Sequence, residues 1–123
     1  MANTEVEFGI LAGAGVPVRV FKQGEVIFRE GDPANELYVI KSGKVDIVSG
    51  NRHLATIGDY GIFGEMALID KEPRSATVTA ATDVEVVPVD ERQFLFLVSQ
   101  TPFFALKVMR VLASRLRVAN KAA

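Results

Sequence analysis

All ten glycines of this 123-residue chain lie at or before Gly64, and none follows. Glycine relaxes the backbone at turns and weakens helix interiors, so the first half must turn often and the final third is free to be helical. Between the glycines the apolar residues keep strand rhythm. Val16, Val18 and Val20 alternate with Pro17, Arg19 and Phe21, a period of two. Glu25 to Phe28 reads as a second short strand, and Glu30-Gly31-Asp32-Pro33 as a turn. Leu37 to Ile40 has the unbroken apolar run of a buried strand. Lys44 to Val48 and Leu54 to Ile57 follow, separated by Ser49-Gly50-Asn51. Gly58, Gly61 and Gly64 loosen the next stretch. Ala76 to Ala80 and Val84 to Val89 are expected to pair around Thr82-Asp83. Short strands at regular spacing with glycine turns predict a sandwich, roll or barrel.

The final third carries helix signals. Asp90 is an N-cap candidate with Gln93 placed to reach back, and Phe94 to Val98 supply an apolar helix. Thr101-Pro102 restarts the chain as cap and first helical residue. From about Phe103 to Asn120 the chain is amphipathic: Ala105, Met109, Leu112, Leu116 and Ala119 form an apolar seam, and Lys107, Arg110, Ser114, Arg117 and Lys121 a cationic face. The first dozen residues are ambiguous: Val6, Ile10 and Leu11 suit a small packing helix interrupted by Gly9 and Gly13. The expected organisation is one domain, 1–123, with an N-terminal segment 1–15, a β-roll 16–90 and helices 91–123.

Composition narrows the function classes. At 49% hydrophobic and 24% charged residues, with a formal net charge of -1, the chain is an ordinary globular protein without a general pull toward nucleic acid or anionic membrane. It has no cysteine, which removes disulfides, thiolate nucleophiles and cysteine metal sites and suits a reducing cytoplasm. The apolar run from Phe8 to Val18 is too short to span a bilayer, and Glu5 and Glu7 stand where a secretory signal would be positive.

The stretch with chemistry is Phe63 to Val78, FGEMALIDKEPRSATV. Gly64 lets backbone approach a ligand closely. A helical turn beginning at Glu65 points free N–H groups at an anion. Pro73 ends that turn by pushing Glu72 out of helical geometry. Arg74 then offers a planar fork suited to phosphate, with the Ser75 hydroxyl beside it. The plainer alternative is an ion pair between Glu65 and Arg74, or solvated loop charges that contribute little. There is no Gly-x-x-x-x-Gly-Lys-Ser/Thr loop, and Gly58, Gly61 and Gly64 do not form the dinucleotide fingerprint.

This stretch closely resembles the phosphate-binding cassette of cyclic nucleotide-binding domains, F-G-E-[apolar]-A-L, a loop, then R-[S/T/A]-A-[T/S]-V, matched at Phe63 to Leu68 and Arg74 to Val78. The resemblance runs from about Val18 to Asn120. It implies a mainly β fold, a double-stranded β-helix or jelly-roll β-roll capped by C-terminal helices. It also implies that Glu65 binds the ribose 2′-hydroxyl and Arg74 the cyclic phosphate, with Ser75 and the Ala76 backbone completing the cradle. Phe63, Gly64, Met66 and Ala67 complete the expected ligand-binding set. The last helix is implied to lie over the base as a lid. In the catabolite activator branch a Thr-Ser pair contacts adenine there; it falls at Ala119-Asn120, leaving Asn120 either a base contact or a fraying terminus. Ser75, where cyclic GMP binders often carry threonine, favours cyclic AMP over cyclic GMP.

The expected function is that of a sensor without catalysis, whose ligand is a cyclic nucleotide and which needs no metal or other cofactor. An effector domain outside this chain and a homodimer through the last helix are the partners this implies, with no membrane. The apolar seam can instead pack wholly on its own roll, and the cationic face can simply be solvated. No helix-turn-helix candidate follows, so DNA recognition has no element here. Two other classes stay open. One is a degenerate roll that serves as an interaction or dimerisation module without a nucleotide. The other is a cupin-type metalloenzyme, disfavoured because His53 is the single histidine and reads as a surface residue.

Overall fold

Leu37, Tyr38, Val39 and Ile40 are all buried, so the strand that holds them is covered on both faces. The rest of the architecture follows from that. The computed structural model describes residues 17–122, those from 118 onward by backbone alone. In chain order the elements are β1 (Arg19–Phe21), β2 (Val26–Phe28), β3 (Glu36–Ser42), β4 (Val45–Ser49), β5 (Arg52–Ile57), β6 (Ile62–Phe63), a 3₁₀ turn (Glu65–Leu68), β7 (Thr77–Ala80), β8 (Val84–Asp90), α1 (Glu91–Gln100) and α2 (Phe103–Ala122). The segment expected at 1–15, with Val6, Ile10 and Leu11, lies outside the described residues, as does Val16.

The strands form two four-stranded sheets, ordered β1-β8-β3-β6 and β2-β7-β4-β5, with every pairing antiparallel. Alternation along β3 and β8 sorts side chains to opposite faces. Tyr38, Ile40, Val84 and Val86 meet Phe28, Val45, Val78 and Ala80 of the second sheet. Leu37, Val39, Val87 and Val89 meet Leu97 of α1 and Phe104 and Val108 of α2. The first sheet is therefore sandwiched between the second sheet and the helices. The result is a jelly-roll β-roll capped by helices.

Two local expectations are corrected. The strands at 76–80 and 84–89 do not pair with each other: β7 lies between β2 and β4, and β8 between β1 and β3. The chain crosses from one sheet to the other at 81–83, so that each strand is flanked by two neighbours in its own layer. The second concerns the glycine-loosened stretch, which contains β6; two residues suffice to pair Phe63 with Tyr38 and Ile62 with Val39. The α1 cap forms as its residues predict. Asp90 Oδ1 accepts from the Gln93 N–H at 2.9 Å, and Gln93 Oε1 accepts from the Asp90 N–H at 2.9 Å.

Candidate functional site

The site begins where β6 ends. Gly64 takes a left-handed conformation (φ 74°) and turns the chain into the 3₁₀ turn that starts at Glu65. Across from it, the backbone of Arg74 is pinned to the turn after β2. Its N–H donates to the Asp32 carbonyl and its carbonyl accepts from the Gly31 N–H, both at 2.8 Å. The Asp32 carboxylate closes that turn by accepting from the Arg29 N–H at 2.9 Å.

From this anchor the Arg74 side chain runs inward and is only 7% exposed. Its Nη1 donates to the Gly64 carbonyl at 3.2 Å and its Nη2 to the Glu36 carbonyl at 2.8 Å. The guanidinium carbon lies 4.0 Å from the centre of the Phe28 ring and 5.6 Å from that of Tyr38. Phe28, Tyr38 and Phe63 themselves pack with centroids 5.1 to 6.1 Å apart. Glycine at 64 is sterically required here: a Cβ would stand 2.8 Å from Arg74 Nη1 and 3.5 Å from the Phe28 ring. Among the described residues Arg74 takes part in no ion pair, and its buried Nε has no hydrogen-bond partner. Burial pulls its pKa below the usual arginine value by disfavouring the charged form. A cation held by neutral dipoles and ring faces, with a donor to spare, is suited to an anion.

Glu65 is 4% exposed and is gripped from α2. Arg115 Nη1 donates to both its carboxylate oxygens at 2.5 Å, and Arg115 Nη2 to the Ile62 carbonyl at 2.7 Å. The ion pair weighed between Glu65 and Arg74 is thus not formed; the partner of Glu65 is an arginine fifty positions later. Sequence reasoning missed Arg115 because it lies off the Lys107–Lys121 cationic face. The available signal was its phase: it continues the inward stripe of Phe104, Val108 and Leu112, where a charge demands a partner. Glu36 was missed too. Its carboxylate accepts from the Tyr38 hydroxyl at 2.8 Å and from Arg19 at 2.9 Å. Burial, reinforced by the Glu36 carboxylate, pushes the Tyr38 pKa up to about 12.

The other expected residues fall around this centre. Phe63, Ala67 and Ala76 are buried, while Met66 and Ser75 are exposed. Ala119 and Asn120 lie outside the residues whose side chains are described. The apolar seam of α2 divides: Leu112 packs on the core, whereas Met109 and Leu116 are 56% and 62% exposed. The cationic face is not uniformly solvated, since Lys107 is buried. It lines, with Arg110 and Arg115, one wall of a cavity of about 570 Å³ whose other wall includes Ile57, Asp59 and Tyr60. His53 is exposed and bridges Asp46 and Thr56 at 3.1 and 2.9 Å. Among the described residues no three His, Cys, Asp or Glu side chains gather as a metal site, and no single helix is long and apolar enough to cross a membrane.

The family model for the cyclic nucleotide-binding domain matches residues 18–101. This chain belongs to that family. It is 37% identical over 105 residues to a CRP-like cAMP-activated global transcriptional regulator of Mycobacterium tuberculosis, covering 81% of this chain and 47% of the relative. It is 47% identical over 79 residues to a cGMP-dependent protein kinase of Toxoplasma gondii, covering 63% of this chain and 8% of the kinase. Among solved structures it is similar to the catabolite activator protein of Thermus thermophilus, with a TM-score of 0.79, 35% identity and coverage of 91% of this chain and 55% of the other. The chain thus spans about half the length of the curated transcriptional relatives it matches. The fold described above is the jelly roll of this family.

Proposed function

We propose that this domain reversibly binds a cyclic nucleotide, cyclic AMP in preference to cyclic GMP, without catalysing its conversion, and that occupancy is coupled to the position of α2. The observation that carries the reading is Arg74: a buried guanidinium with neutral supports and an unused Nε–H. A cyclic phosphodiester brings one negative charge, which one arginine balances without a metal. In this reading Ser75, exposed beside Arg74, adds a hydroxyl, and the backbone of Gly64, Met66, Ala67 and Ala76 completes the cradle. Phe63 underlies it as a buried ring.

Glu65 is the ribose partner in this reading. A 2′-hydroxyl donating to its carboxylate joins a network whose other arm is Arg115 on α2. The ligand therefore bonds to the group that holds the lid helix, and any preference for one helix position shifts the population toward it. Asn120, on the same helix toward its end, is the base contact this reading expects. Ser75 and the cyclic AMP relatives, which cover more of this chain than the cyclic GMP kinase, support the choice of nucleotide.

The exposed Met109 and Leu116 suit a homodimer through α2. An effector domain outside this chain is the natural recipient of the signal, given the share of each relative that is matched. The test is calorimetric titration with cyclic AMP, cyclic GMP and 2′-deoxy cyclic AMP. Binding in the order cyclic AMP, cyclic GMP, 2′-deoxy cyclic AMP supports the assignment. No heat and no thermal stabilisation with any of them at millimolar concentration would leave the dimerisation module as the better reading.

A further inference from the structure

The supports of Arg74 differ in kind from those of Glu65. Glu65 is held by a full opposite charge in direct contact, whereas Arg74 is held by two carbonyls and the faces of Phe28 and Tyr38, with Tyr38, Glu36 and Asp32 favouring its charge without forming an ion pair. Each carbonyl takes one terminal nitrogen, Nη1 or Nη2, and neither bonds to Nε. The nearer of the two ring faces beneath the guanidinium is that of Phe28, 4.0 Å from its carbon, against 5.6 Å for Tyr38. Phe28 is itself 9% exposed and is braced by Tyr38 and Phe63 at 5.9 and 6.1 Å.

The choice of side chain at 28 therefore bears on the anion site. A carboxylate there would grip the guanidinium more tightly and neutralise it, competing with the ligand. An aliphatic side chain would fill the space without the negative ring face that attracts a cation. An aromatic ring stabilises the cation and leaves its charge available.

We propose that Phe28 is a positioning residue of the phosphate cradle: its ring supports the Arg74 guanidinium without supplying a counter-charge, so that the cation stays in place for the ligand phosphate. This rests on the reading of Arg74 as the phosphate partner. In this proposal Phe28 acts through Arg74.

The experiment is titration of cyclic AMP and its 2′-deoxy analogue into the full chain and its Phe28→Leu, Phe28→Tyr, Arg74→Leu and Phe28→Leu/Arg74→Leu variants. Phe28→Leu should weaken cyclic AMP by roughly 5- to 30-fold, the span of a desolvated cation–π contact. Phe28→Tyr should bind within about threefold of wild type, because a ring face is restored. The ratio between cyclic AMP and the 2′-deoxy analogue should be the same in Phe28→Leu as in wild type, since the Glu65 arm is intact. Phe28→Leu should cost nothing further once Arg74 is leucine, the non-additivity of two groups acting as one.

Independently of any variant, the Arg74 Nε–H of the wild-type protein should show a ring-current shift by NMR and should move when cyclic AMP is added. Wild-type binding with an unchanged Phe28→Leu overturns the proposal. So do equal losses in the Leu and Tyr variants, additive losses in the double variant, or an unshifted Nε–H resonance. A wild type that takes up neither cyclic nucleotide overturns the parent reading and this one with it.

Discussion

Removing Arg115 is the sharpest perturbation of the link between cradle and helix. Arg115→Met keeps the length of the stem and deletes the fork that holds Glu65 and the Ile62 carbonyl. Breaking a fully buried ion pair by deleting one partner destabilises by about 3–5 kcal/mol. Here the Glu65 side chain is 5% exposed but that of Arg115 is 37% exposed, so water reaches the pair from the helix side. A discounted loss of about 1–3 kcal/mol is expected, and 1 kcal/mol corresponds to roughly 3–5 °C in Tm for a domain of this size. Most of that loss comes from the stranded carboxylate. Glu65→Gln in the Arg115→Met background should therefore recover part of it, a positive coupling in the double-mutant cycle. The assay is urea unfolding of the four proteins, followed by hydrogen exchange with and without cyclic AMP. In wild type the nucleotide should slow exchange in both the cassette and α2. In Arg115→Met the protection of the cassette should persist while that of α2 is lost. A loss below about 0.5 kcal/mol, with α2 still protected by ligand, would refute the argument that this pair carries the coupling.

Gly64→Ala should destabilise by about 1–3 kcal/mol and weaken nucleotide binding in calorimetry, because its Cβ meets Arg74 Nη1 at 2.8 Å in a left-handed backbone. The Tyr38 pKa is raised in the folded state, so folding keeps a proton that the unfolded chain releases near 10; stability is whole below that pH and falls as pH rises toward about 12. Unfolding at pH 9 and 11.5 should show a steeper decline in wild type than in Tyr38→Phe. Asp90→Ala should cost about 1 kcal/mol by urea unfolding without altering affinity, since it removes only the α1 cap.

What the sequence disclosed was what neighbours in the chain decide together. The alternation of β4, the Asp90–Gln93 box and the run from Phe63 to Val78 each lie within a few turns of backbone, so their residue types reveal them. The roll follows from short strands closing on themselves with glycine at the corners. Strand partners were less legible. Nothing local distinguishes a β7–β8 hairpin from two strands that leave for opposite sheets, because that outcome depends on β2, β3 and β4 offering better burial. The site divides the same way. Glu65 and Arg74 share one continuous stretch, whereas Phe28, Glu36, Tyr38 and Arg115 reach it from β2, β3 and α2. Arg115 was hidden further by the rule that charges on an amphipathic helix belong to its wet face. Its phase with Phe104 and Val108 is the exception that betrays a buried partner.

The central claim is that Arg74 is kept charged and unpaired for a ligand phosphate, and its most direct test is the affinity of Arg74→Leu for cyclic AMP. Loss of the buried partner should weaken binding by about 2–5 kcal/mol, roughly 30- to 5,000-fold, in a variant whose melt shows it folded. Affinity within threefold of wild type would contradict the account.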